Sequence, residues 1–284
     1  MHCCFMVGFT GIQAMPVKLD RLLDVLGELA PLELAEEWDN VGLLLCPSRK
    51  KSCRKILLTI DLVESVLDEA LRAGADTIIA YHPPIFDPLS ELTPSEQRQR
   101  VVLRLVESKI AVYSPHTALD SVAGGVNDWL AGGIGEAEVE PIIPFGESAA
   151  EQGEAACGQG RLLRLRRPLK LSSLVRKVKS HLCLRKLRLA PGKRGDPVIR
   201  SLAICAGAGG SVLSGVEADA YLTGEMRHHD VLDAKACGTS VILCEHTNTE
   251  RGYLRIFRAR LARALGRGVE VRVSRTDREP LELA

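Results

Sequence analysis

The chain carries only seven histidines in 284 residues, and three of them stand in a pattern that suits metal chemistry. His116 in "SPHTALD" (114–120) and His246 in "EHTNTE" (245–250) are each followed four residues later by an acid, Asp120 and Glu250. Both pairs come directly after an apolar run, "IAVY" and "VILC". His82 closes a third run, "TIIAYH" (77–82), and then meets Pro83-Pro84, which stop strand pairing and stiffen the exit. Ser114 suits a helix N-cap and Pro115 a first helical position. Residues four apart on a helix share a face, so each His should point the same way as its acid. Three imidazoles and two carboxylates at three strand ends suit one or two divalent ions of borderline hardness: Zn, Mn, Fe, Co or Ni. A paired site can activate water and stabilise both oxygens of a displacement. An isolated His-x-x-x-acid is more often a helix-surface pair; the set of three raises the pattern above that.

Weaker candidates surround this set. "EMRHHD" (225–230) places His228 and His229 after another strand, either lining the same cleft or capping a helix; His229 is the candidate proton donor or acceptor. Glu250 is the other candidate catalytic group. Glu225 stands in the second half where Tyr81 stands in the first. "CAGAGGS" (205–211) is either a backbone cradle for phosphate or a plain strand-to-helix turn. It lacks the last glycine of G-x-G-x-x-G. "EEWDNVGLLL" (36–45) holds an ordinary Asp-Asn turn signal, which could also edge a pocket.

These residues need elements to position them, and an internal repeat supplies a plan. The segment from "KILLTIDLVESVLDEALRAGADTIIAYHPPIF" (55–86) and that from "RSLAICAGAGGSVLSGVEADAYLTGEMRHHD" (200–230) both read strand, helix, "GAD" or "EAD", strand. Each continues through a helix to a third strand that ends in His-x-x-x-acid, so His116 and Asp120 correspond to His246 and Glu250. Apolar strands alternating with amphipathic helices predict parallel sheets covered by helices. The expected fold is α/β: two duplicated halves, 15–145 and 166–284, joined by a Gly-, Ala- and Glu-rich linker at 146–165.

Composition narrows the function classes. There are 37 basic and 36 acidic residues, a net charge of +1. That balance argues against a strong nucleic-acid footprint. The basic runs "RLLRLRRPLK" (161–170) and "RIFRARLARALGR" (255–267) read as solvated surface. Nine cysteines, several inside apolar strands and none in C-x-x-C, read as free thiols of a reducing, intracellular compartment. No apolar run reaches the roughly 18 residues needed to span a bilayer. The first fourteen residues make a poor signal peptide and read as a disordered tail.

"EEWDNVGLLL", "YHPPIF", "SPHTALD", "GGVNDWLA" (124–131), "YLTGEMRHHD" and "CEHTNTERGYL" together resemble the NIF-three-like family, in family order from about residue 20 onward. Bacterial members of that family carry the label GTP cyclohydrolase type-two homologue. The resemblance implies a two-domain fold around a dinuclear metal cleft and a toroidal homohexamer. It implies metal ligation by His82, Asp120, His246 and Glu250, with His116 a further ligand or close neighbour. Two departures stand out. The bacterial pattern has His-His where this chain has Tyr81-His82, which puts one ligand of one ion in doubt. The connection around 145–165 is also too short for the domain many relatives insert there.

The leading expectation is a metal-dependent hydrolase acting on a small nucleotide-like or cyclic amide substrate. The alternatives are a scaffold that contacts transcriptional co-regulators, and a protein that handles metal without turnover. The expected compartment is the cytoplasm, with the nucleus as a second site.

Overall fold

The computed structural model describes residues 16–145 and 157–281; the tail expected at 1–14 and most of the linker lie outside them. The first sheet is built from β1 (Gly42–Leu45), β2 (Lys55–Thr59), β3 (Thr77–Ala80) and β4 (Ala111–Ser114). β2, β3 and β4 run parallel, and β1 closes one edge antiparallel to β4. The second sheet holds β5 (Ala137–Glu140), β6 (Arg161–Lys170), β7 (Arg188–Ala190), β8 (Val198–Cys205), β9 (Ala220–Thr223) and β10 (Ser240–Leu243). Its centre is again three parallel strands, β8, β9 and β10, flanked by antiparallel partners. Every residue of β3, β4, β9 and β10 is buried. Sheets covered on both faces demand such unbroken apolar runs.

One repeated device ties each parallel trio together. Asp76 of "GAD" accepts hydrogen bonds from Arg54 N and Lys55 N at the start of β2, and its carbonyl accepts from Ala111 N at β4. Asp219 of "EAD" does the same for Arg200 N and Ser201 N at β8, and for Ser240 N at β10. A buried strand start leaves N–H groups to satisfy, and one short acid in the right loop satisfies them.

Two strands trade sheets across the expected boundaries. β5 lies before the linker in sequence yet pairs with β6 of the second sheet. A last strand, β11 (Glu270–Val273), returns from the chain end to pair with β2 of the first. Residues 158–159 and 161–165, placed in the linker by composition, are also strand.

The main core lies between the sheets. It joins Ile56, Leu58, Ile79 and Tyr81 of the first to Leu163, Leu202, Ile204, Leu222 and Ile242 of the second. Helices α1 (Leu19–Leu29), α4 (His116–Ser121), α5 (Val126–Gly132), α6 (Leu171–Leu182) and α9 (Leu254–Leu265) contribute to the same core. α2 (Glu64–Ala73) and α3 (Gln97–Glu107) cover the outer face of the first sheet. α7 (Gly210–Leu213) and α8 (His228–Ala236) cover that of the second. Among the described residues no helix is long and apolar enough to cross a membrane, and there is no disulfide.

Candidate metal centre

His82 leaves the end of β3, His116 that of β4 and His246 that of β10, so three parallel strands deliver imidazoles at their carboxyl ends, where open α/β sheets carry their sites. They converge on a cavity of about 990 Å³ whose lining includes His82, His116, Asp120, His246, Glu250 and Gly207. The His82 and His246 ring centroids are 5.2 Å apart, as are those of His82 and His116.

Donor atoms of His82, His246 and Glu250 all lie within 4.8 Å of one another, close enough to hold one ion. Glu250 is 3% exposed. Its Oε1 lies 3.3 Å from His246 Nε2 and its Oε2 3.6 Å from His82 Nε2. Oε2 is buried and makes no hydrogen bond, which is costly for a carboxylate oxygen unless something else approaches it. Gly207 (φ +63) makes the space: a Cβ there would stand 2.6 Å from Glu250 Oε1 and 3.0 Å from His246 Nε2. An orphaned carboxylate oxygen, two imidazoles and a glycine clearing together fit a divalent cation of the His/carboxylate-binding kind.

Each imidazole is aimed by an acid behind it. Asp61 Oδ1 lies 2.9 Å from His82 Nδ1, Glu225 Oε1 2.7 Å from His246 Nδ1, and Asp39 Oδ1 2.8 Å from His116 Nδ1. An ionised carboxylate only accepts, so in each pair Nδ1 is the donor and Nε2 is left for the cavity. Burial disfavours charge on His82, but Asp61 and Glu250 outweigh it and lift its pKa to about 10. Burial likewise opposes charge on His246, yet Glu250 and Glu225 raise it to about 9. Burial would raise Glu250; the two imidazoles prevail and hold it at about 2. The acid therefore stays ionised and the protons sit on the nitrogens.

The other two expected ligands are placed differently. Asp120 lines the cavity, but the Tyr81 hydroxyl donates to its Oδ1. Burial, and then the nearby Asp120 and Glu250 charges, push the Tyr81 hydroxyl well above its usual range, so it keeps its proton and remains a donor. Burial lifts Asp120 itself to about 7, against the pull of His116 and of the Tyr81 hydrogen bond. His116 faces the cavity, held by Asp39 and with φ at +22. Neither residue belongs to the convergent group of three.

Local structure departs from the helical expectation around Glu250. Residues 247–249 and 251–253 form 3₁₀ turns, and α9 starts only at Leu254. His116 and Asp120 do share a helix, α4, though it begins at His116 and Ser114 Oγ donates to Tyr81 O instead of capping it. In both segments an outside carboxylate grips the Thr after the His. Asp39 Oδ2 accepts from Thr117 N and Oγ1, and Glu279 Oε2 from Thr247 N and Oγ1.

His229 is exposed on α8 and is absent from the cavity lining, so the structure does not bring this candidate catalytic histidine to the other five residues. Arg227, His228 and His229 are all exposed where α8 begins, so both histidines stand toward solvent. The "CAGAGGS" turn lines the cavity. Three of its amides are engaged within the protein: Ala206 N on Asn127, Gly207 N on Thr249 and Gly209 N on Thr223. Cys205 also lines the cavity, but burial pushes its thiol far up, which keeps it from acting as a thiolate nucleophile. Asp61 went unread in the sequence. Its one signal was position: an acid directly after the apolar strand "KILLTI".

Comparison with known proteins agrees with this architecture. A profile of the Duf34/NIF3 family (NGG1p interacting factor 3) matches residues 17–280, and the chain belongs to that family. A Drosophila melanogaster NIF3-like protein 1 is 43% identical over 266 residues, covering 93% of this chain and 88% of its own. The Rattus norvegicus NIF3-like protein 1 is 36% identical, with coverage of 94% and 93%. Among solved structures, a Bacillus cereus protein related to NIF3 superposes with a TM-score of 0.83 at 20% identity, covering 94% of this chain and 99% of that one. At that identity the likeness speaks to the fold.

Proposed function

We propose that this chain is a metal-dependent hydrolase acting on a small nucleotide-like or cyclic amide substrate. The observation that carries the reading is the convergence of His82, His246 and the orphaned Glu250 carboxylate at one wall of a large cavity. These three residues would hold a divalent ion, which would supply Lewis-acid polarisation and water activation. The chain's own residues do the rest. Asp61 and Glu225 hold the two imidazoles in the ligating tautomer, and Gly207 keeps the carboxylate clear. The Asp120 carboxyl, lifted to about 7 and hydrogen-bonded to Tyr81, is poised to exchange a proton near neutral pH.

Two ions are the fuller form of this proposal. The triad would hold one. His116 and Asp120 would hold a second more weakly, because that ion would compete with the Tyr81 hydroxyl for Asp120. The matched Asp76 and Asp219 devices and the two gripped His-Thr pairs support descent of the halves from one duplicated unit. A homohexamer in the cytoplasm, with a nuclear fraction, completes the reading. The Saccharomyces cerevisiae relative is named NGG1-interacting factor 3, which supports a second role in contacts with co-regulator proteins.

The deciding experiment is metal content per chain after metal-replete expression, for wild type and His246→Ala, followed by a hydrolysis screen over nucleotides, phosphodiesters and cyclic amides. The expected result is bound metal and turnover in wild type and loss of both in the variant. A wild-type metal content near zero overturns the proposal.

A further inference from the structure

The mouth of the metal cavity is built unlike its floor. Trp38 and Phe86 line it with ring centroids 5.9 Å apart and planes inclined at 45°, a V-shaped aromatic notch, and they keep 61% and 40% of their surface open. Trp129, the other tryptophan, packs instead against His181 and Tyr253. An exposed aromatic pair is costly to leave wet, and this one is held rigidly. Asn40 Nδ2 donates to Ile85 O at 2.6 Å, which staples the loop carrying Trp38 to the loop carrying Phe86. Asp39, between Trp38 and Asn40, is fixed by His116 and Thr117. The inner edge of Trp38 meets the His116 ring at 6.1 Å and 78°, and His116 in turn abuts His82. A flat ligand resting on this shelf therefore has its substituents directed over His116 toward the triad.

The charges at the rim fit an anionic substituent. Arg98 and Arg278 line the cavity, are exposed, and make no ion pair or hydrogen bond among the described residues. The nearby carboxylates are already engaged: Glu36 by Gln159, Asp61 by His82, Asp277 by Arg251 and Glu279 by Thr247. Aromatic faces and unpaired guanidinium groups lining one cavity are the chemistry that recognises a base and its phosphate.

We propose that the open face of Trp38 is the stacking shelf for the base of a nucleoside phosphate, with the inclined Phe86 ring closing one side and the phosphate directed to Arg98, Arg278 and the metal centre. This rests on the metal-site reading above and assigns its specificity to residues outside the ligand set.

The test uses Trp129→Phe protein, in which Trp38 is the only tryptophan, loaded with zinc and assayed for zinc content before use. It is titrated with AMP, GMP, CMP and UMP, and with ribose 5-phosphate. Saturable quenching of Trp38 by at least one nucleotide, and none by ribose 5-phosphate, is expected. By calorimetry, Trp38→Ala and Phe86→Ala should weaken that nucleotide about ten-fold. Trp38→Phe should keep most of the affinity, and ribose 5-phosphate binding should not change. Retained zinc with no quenching by any nucleotide overturns the shelf. So does a smaller species on gel filtration for Trp38→Ala with unchanged nucleotide affinity, since the rings then serve contact between copies. Absent zinc sinks the metal-site reading separately; quenching by nucleotides alone would still uphold the shelf.

Discussion

Glu250 can lean toward His246 only because residue 207 is glycine. A Cβ on Gly207 would stand 2.6 Å from Glu250 Oε1, closer than real Cβ contacts come, and a tight 3.0 Å from His246 Nε2. Gly207→Ala is therefore expected to push the carboxylate out of register with the imidazoles and to lower metal affinity at least ten-fold. Strain from φ +63 would also cost stability, on the order of 1 kcal/mol. Gly195→Ala is the control: φ there is +78, but no atom lies within 4 Å, so it should show the strain and leave metal binding intact. Competition against a chromophoric chelator separates the two effects.

The acids behind the imidazoles should matter for metal and little for folding. Asp61→Ala leaves His82 Nδ1 without its acceptor, and the ring can then rotate or change tautomer. A loss of about 10- to 100-fold in metal affinity is expected. Glu225→Ala should act on His246 in the same direction. Both carboxylates are well exposed, at 36% and 49%. Melting temperatures should then stay close to wild type. A large drop in melting temperature with unchanged metal affinity would contradict this division of labour.

The candidate ligands were legible because metal chemistry restricts residue type and strand ends restrict place. His82, His246 and Glu250 could be named from apolar runs and spacing alone. The grounds for Glu250 were partly wrong, since 3₁₀ turns stand where one helical face was expected. Asp61 and Glu225 were harder to read, because a lone loop acid has no period to reveal it. The exchange of β5 and β11 was hidden for a related reason. Alternation marks a strand, but "AEVE" and "EVRV" carry nothing local that names their partners. His229 is the converse case: a residue type suited to proton transfer that stands exposed at the start of α8, outside the cavity lining.

Tyr81 tests how many ions the site takes. Its hydroxyl occupies Asp120 Oδ1, and its ring packs edge-on against His116 at 5.5 Å. Tyr81→His replaces that donor with a ligand and frees the carboxylate, so bound metal per chain should rise toward two. Tyr81→Phe removes the hydrogen bond without adding a ligand, leaving Asp120 buried and less well partnered. It should raise the second-site affinity modestly and lower stability by about 1–3 kcal/mol. Metal analysis after gel filtration, with a thermal melt of each variant, checks both outcomes. Equal metal content in all three proteins would rule out competition at Asp120.

The imidazoles give opposite pH dependences to the stripped and loaded protein. His82 at about 10 and His246 at about 9 both lie above the ordinary 6.5 because Glu250, Asp61 and Glu225 favour their charged forms. A raised pKa stabilises the fold through the bound proton. That contribution is complete below pH 6.5 and drains away as pH climbs through 9 to 10. Chelator-treated protein should therefore melt at a lower temperature at pH 9.5 than at pH 6.5. Glu250, held at about 2, stays ionised across this window and adds no slope there. Metal binding has the reverse sign, because the ion must displace the same protons. At pH 7 uptake should release about two protons per ion, and affinity should rise with pH until the imidazoles are neutral. Calorimetry in two buffers of different ionisation enthalpy counts those protons. A release near zero at pH 7 would mean that His82 and His246 do not carry the protons an incoming ion displaces.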